Sequence, residues 1–233
     1  MKKIFMYSIM FLFLMSGMAN AALTTIGTAT YNGNEYNLIW DDDNNGNSVV
    51  WLDYSNYKTY WADQVAWAAS LGNDLTINLD GYTVIWDDDT WRLPTTVDGE
   101  YVYGTDGTTT GGFNITTSEM GHLYYVALGN PGIYDTSGDK NTEYGLIETG
   151  DFENLVMKSY WSGTECEYTN LSGGHAWTFY MKNGNQVNIG TSSKAYGLAL
   201  RGGQISAVPV PGAVWLLGSG LLGLAGIRRR TKP

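Results

Sequence analysis

The C-terminal end of the chain limits where a folded domain can extend. An apolar stretch of 15 residues, Ala213–Ile227, is followed by Arg228, Arg229 and Arg230. A bilayer span needs about 20 residues, a length reached when counting starts at Val208. Three adjacent arginines fit a protein core badly but fit the cytoplasmic end of a span. The segment therefore predicts a transmembrane helix over 213–227, with everything before residue 208 outside the cytoplasm; an ordinary C-terminal anchor and a buried apolar helix are the alternatives.

The N-terminus independently predicts export. Lys2-Lys3 form a basic region, Ile4–Met15 an apolar region, and Ala19-Asn20-Ala21 a small-x-small cleavage site. This order is typical of a secretory signal peptide. We expect signal peptidase to cut after Ala21, so that residues 1–21 are removed and residues 22–207 form the mature domain.

A proline motif precedes the C-terminal apolar stretch. It reads Val208-Pro209-Val210-Pro211-Gly212, and with the helix and the arginines it makes a three-part segment over 208–233. This segment resembles the PEP-CTERM class of sorting signals, with Val210 where that class has a central glutamate. The resemblance implies processing by an exosortase in a Gram-negative, exopolysaccharide-producing bacterium. It implies transient residence in the inner membrane, then display at the cell surface or in the extracellular matrix.

The region between the two terminal segments is strongly acidic. Six of the 13 basic residues lie in those segments, whereas all 23 acidic residues lie between them, so the net formal charge of the middle is −16. Such a surface repels nucleic acid, which we exclude as a partner. Cys166 is the single cysteine, so no intrachain disulfide forms. A catalytic pair with His175 stays open beside the simpler interpretation of a structural thiol.

Local patterns predict two helices and several short strands. Helices are expected over 60–71, with Thr59 as N-cap and Gly72 as the first residue beyond the end, and over 116–128, with Thr116 and Glu119 as a capping box. Strands are expected over 24–31, 36–40, 48–52, 176–182, 186–189 and 196–201. The pair Asn183-Gly184 predicts a hairpin turn between two of them.

One loop has the composition of a calcium site. Asp41, Asp43 and Asn45 alternate before Gly46, and Asn47 could add a carbonyl oxygen. An EF-hand is excluded because leucine, at position 52, stands where the bidentate glutamate is required. The pattern predicts a looser calcium loop, with a solvated acidic turn between two strands as the alternative. No arrangement of residues typical of a catalytic site is present in the sequence.

Five motifs in order make the middle of the chain resemble a known family. They are Trp51-Leu52-Asp53-Tyr54 with the helix that follows, Trp91-Arg92-Leu93-Pro94-Thr95, Glu119–Asn130, Tyr160-Trp161-Ser162-Gly163-Thr164-Glu165 with Ala176-Trp177, and Leu198–Gly203. Together they resemble the domain of unknown function 1566, also called the Lcl C-terminal-like domain, over about residues 36–204. The resemblance implies an α+β, C-type-lectin-like fold with two helices and short antiparallel strands. It also implies adhesion to glycans in some members, and a buried carboxylate paired with Arg92.

The functional expectation combines the sorting segments with that resemblance. We expect a non-enzymatic surface or matrix protein that binds exopolysaccharide or other surface glycans, with Trp161, Tyr168 and Trp177 stacking on sugar faces. No cofactor is expected apart from the calcium ion described above. A structural coat or biofilm matrix protein without a specific ligand is the alternative. A polysaccharide-active hydrolase, with Asp41 or Asp87 as candidate acids, ranks last.

Overall fold

The computed structural model describes residues 23–167 and 174–208. Several predictions fall on residues outside the described ranges: the signal peptide predicted over 1–21, the helix predicted over 213–227, the proposed sorting residues Pro209, Pro211, Arg228, Arg229 and Arg230, and Tyr168. Within the described ranges, no helix is both long enough and apolar enough to cross a membrane.

Eleven strands and two helical segments make up the described part of the chain. The strands are β1 (Leu23–Tyr31), β2 (Asn34–Asn44), β3 (Asn47–Thr59), β4 (Thr76–Leu79), β5 (Tyr82–Trp86), β6 (Tyr103–Gly104), β7 (Gly111–Gly112), β8 (Ser159–Glu165), β9 (His175–Tyr180), β10 (Asn185–Gly190) and β11 (Ala195–Ala207). The helices are α1 (Trp61–Asp74) and α2 (Glu119–His122), and α2 continues as one π-helical segment, Leu123–Ala127.

All eleven strands join one mixed sheet. Its order is β4-β1-β2-β3-β11-β8-β9-β10-β7-β6, and β5 pairs with the far end of β11. Most pairs are antiparallel, but β11 with β8 and β6 with β7 run parallel. Strand β11 connects the halves of the sheet, because Gly202 is its last residue paired with β3 and Gly203 its first paired with β5.

Two tight turns form the first three strands into a meander. Asn32 and Gly33 have φ of 50° and 79°, and Asn45 and Gly46 have φ of 54° and 80°. Positive φ at both central residues matches the right-handed twist of antiparallel strands, and Asn-Gly is the pair that adopts it most readily. The β9–β10 hairpin at Asn183-Gly184 is present as the sequence predicted.

The two faces of the sheet bury two separate cores. Consecutive residues of β3 point to opposite faces, so Trp51 joins one core and Leu52 the other. The Trp51 core is covered by α2, the π-helical segment and the long loop that contains Phe152. The Leu52 core is covered by α1. A sheet buried on both faces explains why its central strands are apolar on both sides.

The fold class predicted from sequence is wrong. Strands take up 45% of the described residues and helices 13%, in one large mixed sheet, and no C-type-lectin-like structure matches. Three strands, β2, β3 and β11, have 11 to 13 residues, so the strands are not uniformly short. The domain is therefore mostly β with two small helical segments, and not an α+β domain with two helices and short antiparallel strands.

Both helices occur where they were predicted, but their ends differ. Helix α1 continues through Gly72 to Asp74, and its N-cap is Tyr60, with no side-chain cap. Thr59 instead donates a hydrogen bond to the carboxylate of Asp63. Helix α2 begins three residues later than expected, because Ser118 is the N-cap and accepts a hydrogen bond from the backbone N–H of Gly121. The expected capping box is absent, and the Glu119 carboxylate instead accepts hydrogen bonds from Arg92 and from the N–H of Thr95.

Candidate functional site

The predicted calcium residues divide between a buried position and an exposed turn. Asp41 is fully buried, and its Oδ2 accepts hydrogen bonds from Asn44 Nδ2 at 2.9 Å and from Trp51 Nε1 at 3.2 Å. Burial raises the pKa of the Asp41 carboxyl above its usual value, against the opposing effect of these hydrogen bonds. Asp43 is exposed, and its Oδ1 accepts a hydrogen bond from the N–H of Gly46 at 2.8 Å.

The remaining two residues of the calcium pattern stabilise the hairpin turn. Asn45 has positive φ, and Asn47 Nδ2 donates to the backbone carbonyls of Asn44 and Asn45 at 3.5 and 3.4 Å. The alternation of Asp and Asn before Gly46 therefore has a structural explanation as a turn between β2 and β3. Calcium binding by these four residues stays a prediction.

The predicted sugar-stacking residues are not available for stacking. Trp161 and Trp177 are both fully buried. Trp161 Nε1 donates to the carbonyl of Thr59 at 3.0 Å, and Trp177 Nε1 donates to Asp98 Oδ1 at 2.8 Å. The prediction is wrong for these two residues because their rings belong to the core and their polar atoms bind other parts of the chain. Tyr168 lies outside the described residues.

A polar pocket of about 290 Å³ surrounds Arg92. The guanidinium of Arg92 donates to both carboxylate oxygens of Glu119, at 2.7 and 2.9 Å, and lies 3.4 Å from Asp88. Burial opposes the charge on Arg92, but its bonds to Glu119 raise its pKa overall. Asp88 also accepts a hydrogen bond from the N–H of Gly202, and Asp87 accepts one from Gln204. The charged groups of this pocket are thus already used to hold β11, the 86–95 segment and α2 together.

A second, larger cleft lies between the start of α1 and the ends of β8 and β10. Its volume is about 560 Å³, and its walls are Tyr60, Trp61, Ala62, Glu165, Thr191 and Ser192. The residues come together because the N–H of Trp61 donates to the carbonyl of Thr191 at 3.4 Å. This contact joins the first turn of the helix to the β10–β11 connection.

The aromatic wall of the cleft consists of a fixed tryptophan ring and a more exposed tyrosine ring. Trp61 packs against the α1-side core, and its Nε1 donates to the carbonyl of Ser162 at 2.9 Å, which holds the indole in one orientation. Tyr60 is 46% exposed, and the Lys194 ammonium lies 5.0 Å from the centre of its ring. An ordered, partly exposed aromatic surface costs little entropy when a ligand packs on it.

Two polar groups in the wall of this cleft have no partner among the described residues, whereas the charged groups around Arg92 are bonded to one another. Within the described ranges, no hydrogen bond or ion pair occupies the Glu165 carboxylate or the Ser192 hydroxyl. Thr191 Oγ1 donates to the carbonyl of Gly174 at 3.1 Å and keeps its acceptor lone pairs. The cleft therefore offers aromatic surface beside a carboxylate and hydroxyls, which can hydrogen-bond a polyhydroxylated ligand while a ring face is covered.

The sequence analysis did not predict this cleft. Tyr60 and Trp61 were expected only as the start of the first helix and Glu165 as part of the Tyr160–Glu165 motif, and Thr191 and Ser192 were not singled out. The sequence placed the N-cap at Thr59, whereas the structure places it at Tyr60. The contact that brings Trp61 to Thr191 spans 130 residues and has no local signature.

Neither a search for metal-binding groups nor similarity to known proteins assigns a function to this chain. Among residues 23–167 and 174–208, no group of three or more His, Cys, Asp and Glu side chains is placed to hold a metal ion. Comparison of the chain with protein-family models, with curated proteins and with solved structures gave no match. The functional argument therefore rests on the residues themselves.

Proposed function

We propose that this chain is an exported, non-enzymatic protein of the bacterial surface or extracellular matrix that binds polysaccharide in the Tyr60–Trp61 cleft. The observation that carries the proposal is that the Glu165 carboxylate and the Ser192 hydroxyl, which have no hydrogen-bond partner among the described residues, lie beside the oriented ring of Trp61 and the exposed ring of Tyr60. Sugar rings present apolar C–H faces and hydroxyl edges, which match an aromatic wall and a hydrogen-bonding wall respectively. The Arg92 pocket has no aromatic side chain in its lining.

Charge restricts the ligand class. The mature region carries 16 more acidic than basic residues, and Glu165 adds a carboxylate inside the cleft. An anionic polymer would be repelled, apart from local attraction to Lys194. The favoured ligand is a neutral or amino-bearing glycan.

Binding is tested with the purified protein on a glycan array and by calorimetry with polysaccharide from the producing cells, with and without chelator. Tyr60→Ala and Glu165→Gln should each weaken binding by about tenfold, because each removes a contact at the centre of the site. Tyr57→Ala is the matched control, since Tyr57 is 68% exposed but does not line the cleft. Loss of binding in the control alone, or no binding by the wild type, would refute the site.

The sorting part of the proposal rests on the two terminal segments and is tested separately. We propose that signal peptidase removes residues 1–21 and that an exosortase acts near Val208–Gly212. Val208 is the one described residue of that motif, and its N–H donates to the carbonyl of Gly81 at 2.9 Å. Cells with and without the exosortase should differ in the size and location of the protein. An unchanged full-length protein in both would contradict processing.

A further inference from the structure

Three buried acceptor atoms are left without a hydrogen-bond partner at one end of the sheet. They are Asp41 Oδ1, Asn44 Oδ1 and His122 Nδ1, and each of the three residues is at least nine-tenths buried. Buried polar atoms without a partner are rare in native proteins, and each one calls for an explanation by water, an ion or a functional role. A fourth such atom, Gln186 Oε1, belongs to β10.

Asn44 connects Asp41 to the short helix that carries His122. Asn44 Nδ2 donates to Asp41 Oδ2 at 2.9 Å and also to the backbone carbonyl of Glu119 at 3.2 Å. These two acceptors fix the orientation of the Asn44 amide, so its Oδ1 is the end that has no partner. His122 lies in the same short helix as Glu119, and its N–H donates to the carbonyl of Ser118 at 2.8 Å.

Nearby donors do not satisfy the second carboxylate oxygen of Asp41. The side-chain donors of Asn44 and Trp51 both reach Oδ2, and Oδ1 receives none. The two ion pairs in the described part of the chain both involve Arg92, and Asp41 instead interacts electrostatically with the imidazole of His122. A fully buried carboxylate is strongly destabilising unless a positive charge or further hydrogen bonds compensate it.

We propose that Asp41, Asn44 and His122 bind a divalent transition-metal ion through Oδ1, Oδ1 and Nδ1. One carboxylate, one amide oxygen and one imidazole nitrogen form a mixed ligand set, and imidazole favours Zn²⁺ and its neighbours over Ca²⁺ and Mg²⁺. The ion would place a positive charge beside the buried carboxylate of Asp41 and would connect the β2–β3 hairpin to α2. This site shares only Asp41 with the predicted calcium loop, and it is separate from the Tyr60–Trp61 cleft.

The test uses the full chain, stripped of metal with chelator and then exposed to Zn²⁺. The wild type should retain one equivalent of zinc after dialysis, and its melting temperature should rise with zinc concentration. His122→Gln should bind zinc about 100-fold or more weakly. His175→Gln is the matched control, since it removes the other histidine of the chain and leaves the site intact.

A second measurement keeps the proposal testable if His122→Gln does not fold. The ¹⁵N resonances of the two imidazoles can be told apart with the His175→Gln variant, and zinc should shift Nδ1 of His122. Four results would overturn the proposal: no zinc retained by the wild type, zinc lost in His175→Gln but kept in His122→Gln, stabilisation by Ca²⁺ and not by Zn²⁺, or a His122 Nδ1 signal unchanged by zinc. The last result would indicate that a buried water molecule satisfies the three acceptors.

Discussion

The guanidinium of Arg92 donates hydrogen bonds to both carboxylate oxygens of Glu119, at 2.7 and 2.9 Å. Arg92 also exchanges two backbone hydrogen bonds of 2.9 Å with Leu200 of β11, and Glu119 accepts a further bond from the N–H of Thr95 at 2.5 Å. This pair therefore connects the central strand, the 91–95 segment and the start of α2. The expectation that Arg92 pairs with a buried carboxylate is confirmed.

Removing either partner of this pair should destabilise the fold. Glu119→Gln leaves the Arg92 charge partly buried without its anion, and we expect a loss of about 2–3 kcal/mol, below the range for fully buried pairs because Arg92 is about one-third exposed. Arg92→Lys should cost about 1–2 kcal/mol, because an ammonium cannot make the two parallel hydrogen bonds. Urea unfolding gives both values.

Glu153→Gln is the matched control for Glu119→Gln. Glu153 is exposed, and only its backbone N–H makes a bond, to Asp53. Its substitution should change stability by no more than about 0.5 kcal/mol. If Glu119→Gln were equally mild, the Arg92–Glu119 pair would not be a stabilising connection.

Replacing each of two glycines with alanine should change the free energy of unfolding in opposite directions, although both have open space around them. A Cβ at Gly46 or at Gly72 would meet no atom within 4 Å, but Gly46 has a φ of +80° whereas Gly72 lies inside α1. We expect Gly46→Ala to lose about 1 kcal/mol through the left-handed backbone conformation. Gly72→Ala should gain about 0.5–1 kcal/mol through helix propensity. Thermal or urea unfolding decides this, and shifts of the same sign would contradict the explanation from backbone conformation.

The same two glycines show what sequence can and cannot predict. Gly72 was expected to lie just beyond the first helix because glycine commonly does so, but the helix, which buries Ala68 and Leu71, continues three residues past its predicted end. Gly46 was taken as part of a calcium loop, although Asn-Gly between two β-rich segments also predicts a hairpin. Local periodicity predicted both helices and six strands, and these elements are present with shifted ends.

What sequence could not predict is the pairing between distant strands. Strand β11 contacts β3, β5 and β8, and Gly197 opposite Asn56 lies more than 100 residues away along the chain. A tryptophan of the core and one that contacts a ligand also look alike in sequence, so Trp161 was taken for a ligand contact although it is fully buried. Burial depends on which strand or helix packs above each ring, and that depends on the sheet order.

Alkaline pH should destabilise the fold through Tyr160. Burial raises the pKa of Tyr160 to about 12, against hydrogen bonds with Ser55 and Val156. A raised pKa means that the unfolded chain loses its proton first, so the contribution to stability is complete below pH 10 and is lost as pH rises toward 12. The unfolding free energy of the wild type should fall relative to Tyr160→Phe between pH 10 and 12. A constant difference would show that Tyr160 ionises equally in both states.

Asp53 should give a second pH dependence, at acid pH. The Asp53 carboxylate is buried beneath the loop at 153–154 and accepts hydrogen bonds from the backbone N–H groups of Glu153 and Asn154, at 2.8 and 3.0 Å, and from Asn154 Nδ2 at 3.0 Å. Burial nevertheless raises its pKa above the ordinary value of 3.8. The folded state therefore binds this proton more tightly than the unfolded state.

The sign of the effect follows from that difference in pKa. The contribution of Asp53 to stability is complete below pH 3.8 and declines as pH rises through the folded-state pKa, because the folded state must then bury a charge. Urea unfolding of the wild type and Asp53→Asn from pH 3 to 7 should show the wild type losing stability relative to the variant just above pH 3.8, then a constant difference. A relative gain for the wild type over that range would mean that its three hydrogen bonds outweigh burial and that the folded-state pKa is lowered.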